Sequence, residues 1–99
     1  MSTLDSKQVL RRLRTIPGWK ARSRTIRRRF EFQRFTEAVD FVNRVARQAE
    51  RKNHHPDIDI RWNKVTLALS THSAGGLTAK DFSMARECDT IYTRHFGPK

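Results

Sequence analysis

One cysteine, four glycines and three prolines in 99 residues exclude several classes of protein at once. Cys88 alone forms neither an internal disulfide nor a multi-cysteine zinc site, which removes secreted disulfide scaffolds and zinc fingers together. So little glycine and proline also removes a low-complexity chain. No run approaches the roughly 20 apolar residues that a membrane helix needs. Residues 1–14 are charged where a signal peptide carries its apolar stretch, and the expectation is a cytoplasmic protein. Acid is scarce as well, with 10 Asp and Glu against 21 Lys and Arg, a formal net charge of +11.

The excess of base is concentrated. Lys7 to Arg34 holds eleven Lys and Arg and a single acid, Glu31. Such a front attracts polyanions, so a nucleic-acid-associated module is one reading. No recognition-helix, zinc-finger or aromatic RNA-binding pattern accompanies it, and the expectation is weak, nonspecific binding to nucleic acid at most. A content of 36% hydrophobic residues suits one modest core, hence a single domain over residues 1–99.

Periodicity supplies the elements. Val9, Leu10 and Leu13 share one side of a short helix over 7–13, with Ser2, Thr3, Asp5 and Ser6 as candidate caps and Pro17-Gly18 as its stop. Residues 19–22 start a strand. Residues 25–33 alternate Ile26, Phe30 and Phe32 with Thr25, Arg27, Arg29, Glu31 and Gln33 and form a second. Arg28 shares the apolar parity, which places it near a sheet edge with its stem buried and its guanidinium in water. Thr36 is the candidate N-cap of a long helix in which Ala38, Val39, Phe41, Val42, Val45, Ala46 and Ala49 recur at helical spacing. Pro56 forces His55 out of helical geometry, so this helix ends before His54-His55. Ile58, Ile60 and Trp62, then Val65, Leu67 and Leu69, alternate as two strands around an Asn63-Lys64 turn. Thr78-x-x-Asp81 is a capping box opening a last helix with Phe82, Ala85, Cys88, Tyr92 and Phe96 on its apolar stripe. The order α-β-β-α-β-β-α predicts an α+β fold, a four-stranded antiparallel sheet with three helices on one face.

Three histidines sit at element ends: His54 and His55 after the long helix, and His72 where the last strand meets the Gly75-Gly76 loop. A metal site fits them poorly, because adjacent side chains in an extended segment point apart and no His pair has one-turn helical spacing. Cys88 lies on the apolar stripe and reads as core, not nucleophile. General acid–base chemistry without metal or cofactor fits best, since imidazole exchanges a proton near neutral pH with little tuning.

At these residues the chain closely resembles the pterin-4a-carbinolamine dehydratase family. The signature runs without a gap: Glu50, three residues, His54-His55-Pro56, five residues, Trp62, nine residues, His72, eight residues, Asp81. Ile16-Pro17-Gly18-Trp19, Phe30-Glu31-Phe32, Asn63-Lys64-Val65, Thr71-His72 and Gly75-Gly76-Leu77-Thr78 extend the likeness over nearly the whole chain. The resemblance implies cofactor-free dehydration of a 4a-hydroxytetrahydropterin. In it His54, His55 and His72 are the catalytic set: His54 and His72 form the acid–base pair, and His55 mainly positions the pterin. It also implies substrate contacts from Glu50, Trp62 and Asp81, of which Glu50 is a candidate to orient a histidine, Asp81 to cap its own helix and Trp62 to stack on the ring or anchor the sheet. A homodimer or homotetramer is the implied assembly. One departure stands out: the family usually has an acid and then an aromatic residue after His-His-Pro, and here Asp57 is followed by Ile58. Related proteins also act as binding partners of other proteins, so the alternative is a non-catalytic protein-interaction or nucleic-acid-associated module on the same fold.

Overall fold

A computed structural model describes residues 3–97. The elements are α1 (Ser6–Leu13), β1 (Lys20–Arg22), β2 (Thr25–Glu31), α2 (Phe35–Lys52), β3 (Asp57–Arg61), β4 (Lys64–Leu69) and α3 (Ala79–Phe96), with a 3-10 turn at His72–Ala74 before α3. The sheet is antiparallel throughout in the order β1-β2-β4-β3, so the two central strands come from opposite halves of the chain. This is the expected α+β arrangement with its three helices on one side.

Strand parity decides what faces the helices. Ile26 and Phe30 of β2 and Val65, Leu67 and Leu69 of β4 are fully buried against Ala38, Phe41, Val45 and Ala49 of α2 and Phe82, Ala85 and Cys88 of α3. Phe30, Phe32, Phe41, Tyr92 and Phe96 interlock by edge and tilted ring contacts, with centroids 4.7 Å apart for Phe30–Phe41 and 5.3 Å for Phe32–Phe96. Such pairs contribute about 0.5–1.5 kcal/mol each beyond the burial of their area.

Several local expectations are corrected. Among the candidate caps of α1, Asp5 serves, in a reciprocal box with Gln8; Ser2 lies outside the described residues. Helix α2 begins earlier than Thr36, at Phe35, with Arg34 as an N-cap that makes no side-chain bond; instead the Glu37 carboxylate accepts from the Gln33 N–H at 3.1 Å. Strand β1 begins at Lys20, and β2 ends at Glu31, before Phe32 and Gln33. The β3–β4 loop is Trp62–Asn63, not Asn63-Lys64, and Trp62 is its first residue, at φ 52°. It follows β3 without belonging to it.

Arg28 is the largest correction. β2 is a central strand, and the Arg28 guanidinium is only partly in water: it donates to Asp89 of α3 at 2.7 Å and lies over the Phe30 ring at 4.3 Å. Trp19 Nε1 donates to the same Asp89 oxygen at 2.8 Å. Burial pushes the Asp89 carboxyl up, while the Trp19 and Arg28 donors pull it back. The close approach needs Gly18, where a Cβ would stand 2.8 Å from Arg28 Nε.

Cys88 sits in the core as expected, and burial first, then the neighbouring Asp89 and Glu87, push its thiol up to about 12. Since the thiolate is the reactive form, Cys88 is expected to resist a thiol reagent at pH 8 in the folded protein and to react at once in denaturant. Rapid labelling of the native protein would contradict its burial.

Candidate active site

The turn out of α2 is set by Asn53, which adopts a left-handed conformation (φ 50°) that asparagine tolerates well. It reverses the chain so that the His54 N–H reaches back to Ala49 O at 3.1 Å, closing the helix end. Pro56 then holds the following segment extended into β3. From this corner the His54 ring points at the N-terminus of α3, where its Nε2 lies 2.7 Å from Asp81 Oδ1.

Asp81 is completely buried, and each of its oxygens is engaged. Oδ2 accepts from the Thr78 backbone N–H at 2.9 Å, completing the capping box, and from the Thr71 hydroxyl at 2.8 Å. Thr71 Oγ1 and Thr78 Oγ1 are 2.8 Å apart. The single Thr71 proton is committed to Asp81, so the Thr78 hydroxyl donates to Thr71 and itself accepts from Lys80 N–H at 3.3 Å. One directed chain thus runs from the start of α3 through both threonines into the carboxylate.

That chain fixes His54. A carboxylate oxygen only accepts, so Nε2 carries a proton, and in the neutral imidazole Nδ1 is the nitrogen left for chemistry. The His54 side chain is 10% exposed, and no buried side-chain nitrogen or oxygen among the described residues lacks a partner, which means that Nδ1 reaches solvent. A recess of about 200 Å³ opens beside the ring, lined by Lys52, Lys80, Ser83, Met84 and Glu87.

His72 follows Thr71 directly and opens the 3-10 turn, exposed and with no side-chain bond among the described residues. Thr71 also pairs with Gly76, and Gly75 takes φ 76°, a conformation that favours glycine, so the loop folds back tightly. Asp81, bonded to His54, thus also holds Thr71, the residue that precedes His72. His55 is held by a different helix: its Nε2 bonds the Glu50 carboxylate of α2, both groups largely exposed. Trp62 is not gathered with them. It lies at the opposite end of β3 from His54, 68% exposed, with the Lys64 ammonium 5.3 Å from its ring centre.

The sequence pattern does not mark Thr71, Thr78 or the recess residues as parts of a site. The only local signal for the recess is the spacing of Lys80, Ser83, Met84 and Glu87 along one side of α3.

Three comparisons bear on this arrangement. The family described as pterin 4 alpha carbinolamine dehydratase matches residues 2–91. A Mycolicibacterium smegmatis protein provisionally named a pterin-4-alpha-carbinolamine dehydratase is 50% identical over 91 residues, 92% of this chain and 97% of the relative. One from Roseiflexus castenholzii with the same provisional name is 50% identical over 88 residues, 89% and 95% of the two chains. A Brucella melitensis structure described as a transcriptional coactivator/pterin dehydratase superposes with a TM-score of 0.87 at 34% identity, covering 91% of this chain and 98% of that one. A pterin dehydratase-like RuBisCO assembly factor of the alpha-carboxysome shares the fold alone, with a TM-score of 0.61 at 19% identity over 74% of this chain and 84% of that one.

Proposed function

The chain belongs to the pterin 4 alpha carbinolamine dehydratase family, and from that premise we propose that it dehydrates a pterin 4a-carbinolamine such as 4a-hydroxytetrahydrobiopterin to the quinonoid dihydropterin and water, by histidine acid–base catalysis. The observation that carries the reading is the His54–Asp81 pair at 2.7 Å, whose carboxylate is also bound by the residue preceding His72.

In the reaction the C4a–O bond breaks, N5 loses its proton, a C4a=N5 double bond forms, and hydroxide leaves as water. One group must protonate the departing hydroxyl while another takes the N5 proton. His54 suits the base: Nδ1 is free, and the buried carboxylate stabilises the imidazolium that forms when it accepts a proton. His72, exposed and with no side-chain partner among the described residues, suits the acid. His55, held by Glu50, then presents a ring to orient the pterin, and the recess beside His54 takes the substituent that the pterin carries. Trp62 reaches the substrate only if a second copy brings it there. The free edge of β3, with Ile58 and Ile60 each 38% exposed, is where we place that self-association.

The deciding assay generates the carbinolamine with a pterin-dependent hydroxylase and follows its decay with and without the protein. Acceleration supports the reading, and an unchanged decay with folded protein overturns it.

Metal has no part in this scheme. His54 Nε2 and His55 Nε2 are committed to carboxylates on two different helices, and no group of three or more His, Cys, Asp or Glu among the described residues is placed to hold an ion. Dehydration is therefore expected to survive exhaustive chelation unchanged; activity lost to chelator and restored by zinc would show otherwise.

A further inference from the structure

The sheet's outer face is bare of helices, and its charge is divided. Strand parity places Lys20 and Arg22 of β1 and Arg27 and Arg29 of β2 on this face, with Arg24 in the turn between the two strands. All five are exposed, and none makes a side-chain hydrogen bond or ion pair among the described residues. Lys20 stands directly across from Arg27, a like-charge pair that weakens a sheet. Of the acids on this face, Asp57 and Asp59 are on β3 at the far edge, Asp59 paired with Arg61, and Glu31 ends β2 two residues from Arg29 and opposite Lys64, leaving the β1–β2 half strongly positive. Arg28, of the opposite parity, is the basic residue of this hairpin that found a partner inside the fold.

We propose that the outer face of the β1–β2 hairpin docks on the phosphate backbone of double-stranded nucleic acid, without reading sequence. Residues two apart on a strand are about 6.7 Å apart and neighbouring strands about 4.8 Å apart, which makes the four strand-borne cations a compact grid with Arg24 at its end. Charge complementarity selects a polyanion. The strand residues of the face include no aromatic side chain, so there is no stacking platform for unpaired bases. At the far edge Asp57 repels phosphate and Asp59 is already paired with Arg61, so the unpaired positive charge of the face lies mainly in its β1–β2 half. Arg24 lines one cavity with Ala74 to Leu77 of the loop that His72 opens, but Arg27 and Arg29 bond none of the groups placed at the histidine corner, so their loss is expected to leave dehydration unchanged.

The test is a titration of the whole protein against random-sequence duplex DNA across a range of salt. Up to five phosphate contacts give a slope of log K against log salt of about −4.5, and the double variant Arg27→Gln/Arg29→Gln makes it shallower by about 2. The control Arg86→Gln/Arg94→Gln, with equal charge loss on α3, leaves the slope unchanged, and the hairpin variant keeps its circular dichroism and its rate on pterin. An equal loss in the control, or no duplex binding at low salt, overturns the proposal. Polyglutamate binding as tightly as duplex assigns the face to acidic polypeptides and overturns it as well.

Discussion

Replacing His72 with alanine lowers turnover on the carbinolamine by about 10²–10⁴-fold, and His54→Ala does the same, because that is the usual contribution of a positioned proton donor or acceptor. The two variants differ in a way that makes them informative together. His72 is exposed and unbonded, so its loss leaves the fold and its melting temperature unchanged. Removing His54 strips one partner from a fully buried carboxylate, which costs on the order of 1–3 kcal/mol and lowers the melting temperature as well. In both, the loss should fall on kcat with little change in KM, as for a group whose interaction strengthens only in the transition state. Wild-type rates in both variants would remove the histidines from the mechanism.

Asp81→Asn changes a single atom and is expected to cost about 10²-fold or more in rate. The Thr78 backbone N–H is an obligatory donor facing Oδ2, so the amide oxygen of the variant must stay on that side. Its NH₂ group is then turned to His54 Nε2, which has to become the acceptor, and the ring proton moves to Nδ1. The base is lost by a change of tautomer while the imidazole stays in place. Two measurements separate this from simple unfolding: the NMR signature of the His54 ring, which should report the other tautomer, and thermal melting, which should show a folded protein. An unchanged rate with the tautomer switched would mean that His54 does not act through Nδ1.

Much of this is legible in the sequence. The capping box at Thr78 and Asp81, the stop enforced by Pro56, and the alternation of Val65, Leu67 and Leu69 are local patterns, and local patterns survive in a sequence. What escaped is non-local. Nothing near Arg28 announces Asp89, which lies on the last helix and shares its oxygen with Trp19. Trp62 kept the parity of Ile58 and Ile60, so periodicity extended the strand through a residue that turns the chain. Asp81 showed its cap and hid its bond to His54, since the first is written in a three-residue spacing and the second depends on how α2 and α3 pack. Thr36 resembled a cap because hydroxyls favour that position, yet the helix had started a turn's fraction earlier without one.

Every group gathered at the histidine corner and its recess comes from residues 50–87, but the sheet beneath it does not. β4 completes its hydrogen bonding on β2, from the first half of the chain, through six residue pairs from Ile26↔Leu69 to Glu31↔Lys64. The two hairpins form locally and quickly, whereas joining them closes a loop that spans all of α2, and only then are Phe30, Val65 and Leu67 withdrawn from water. The corner is therefore held together by strand pairing to which the first half contributes no chemistry. Damage then divides by location: a lesion in β2 reduces how many molecules are competent at any moment, while one at Asp81 or His72 reduces what each competent molecule accomplishes.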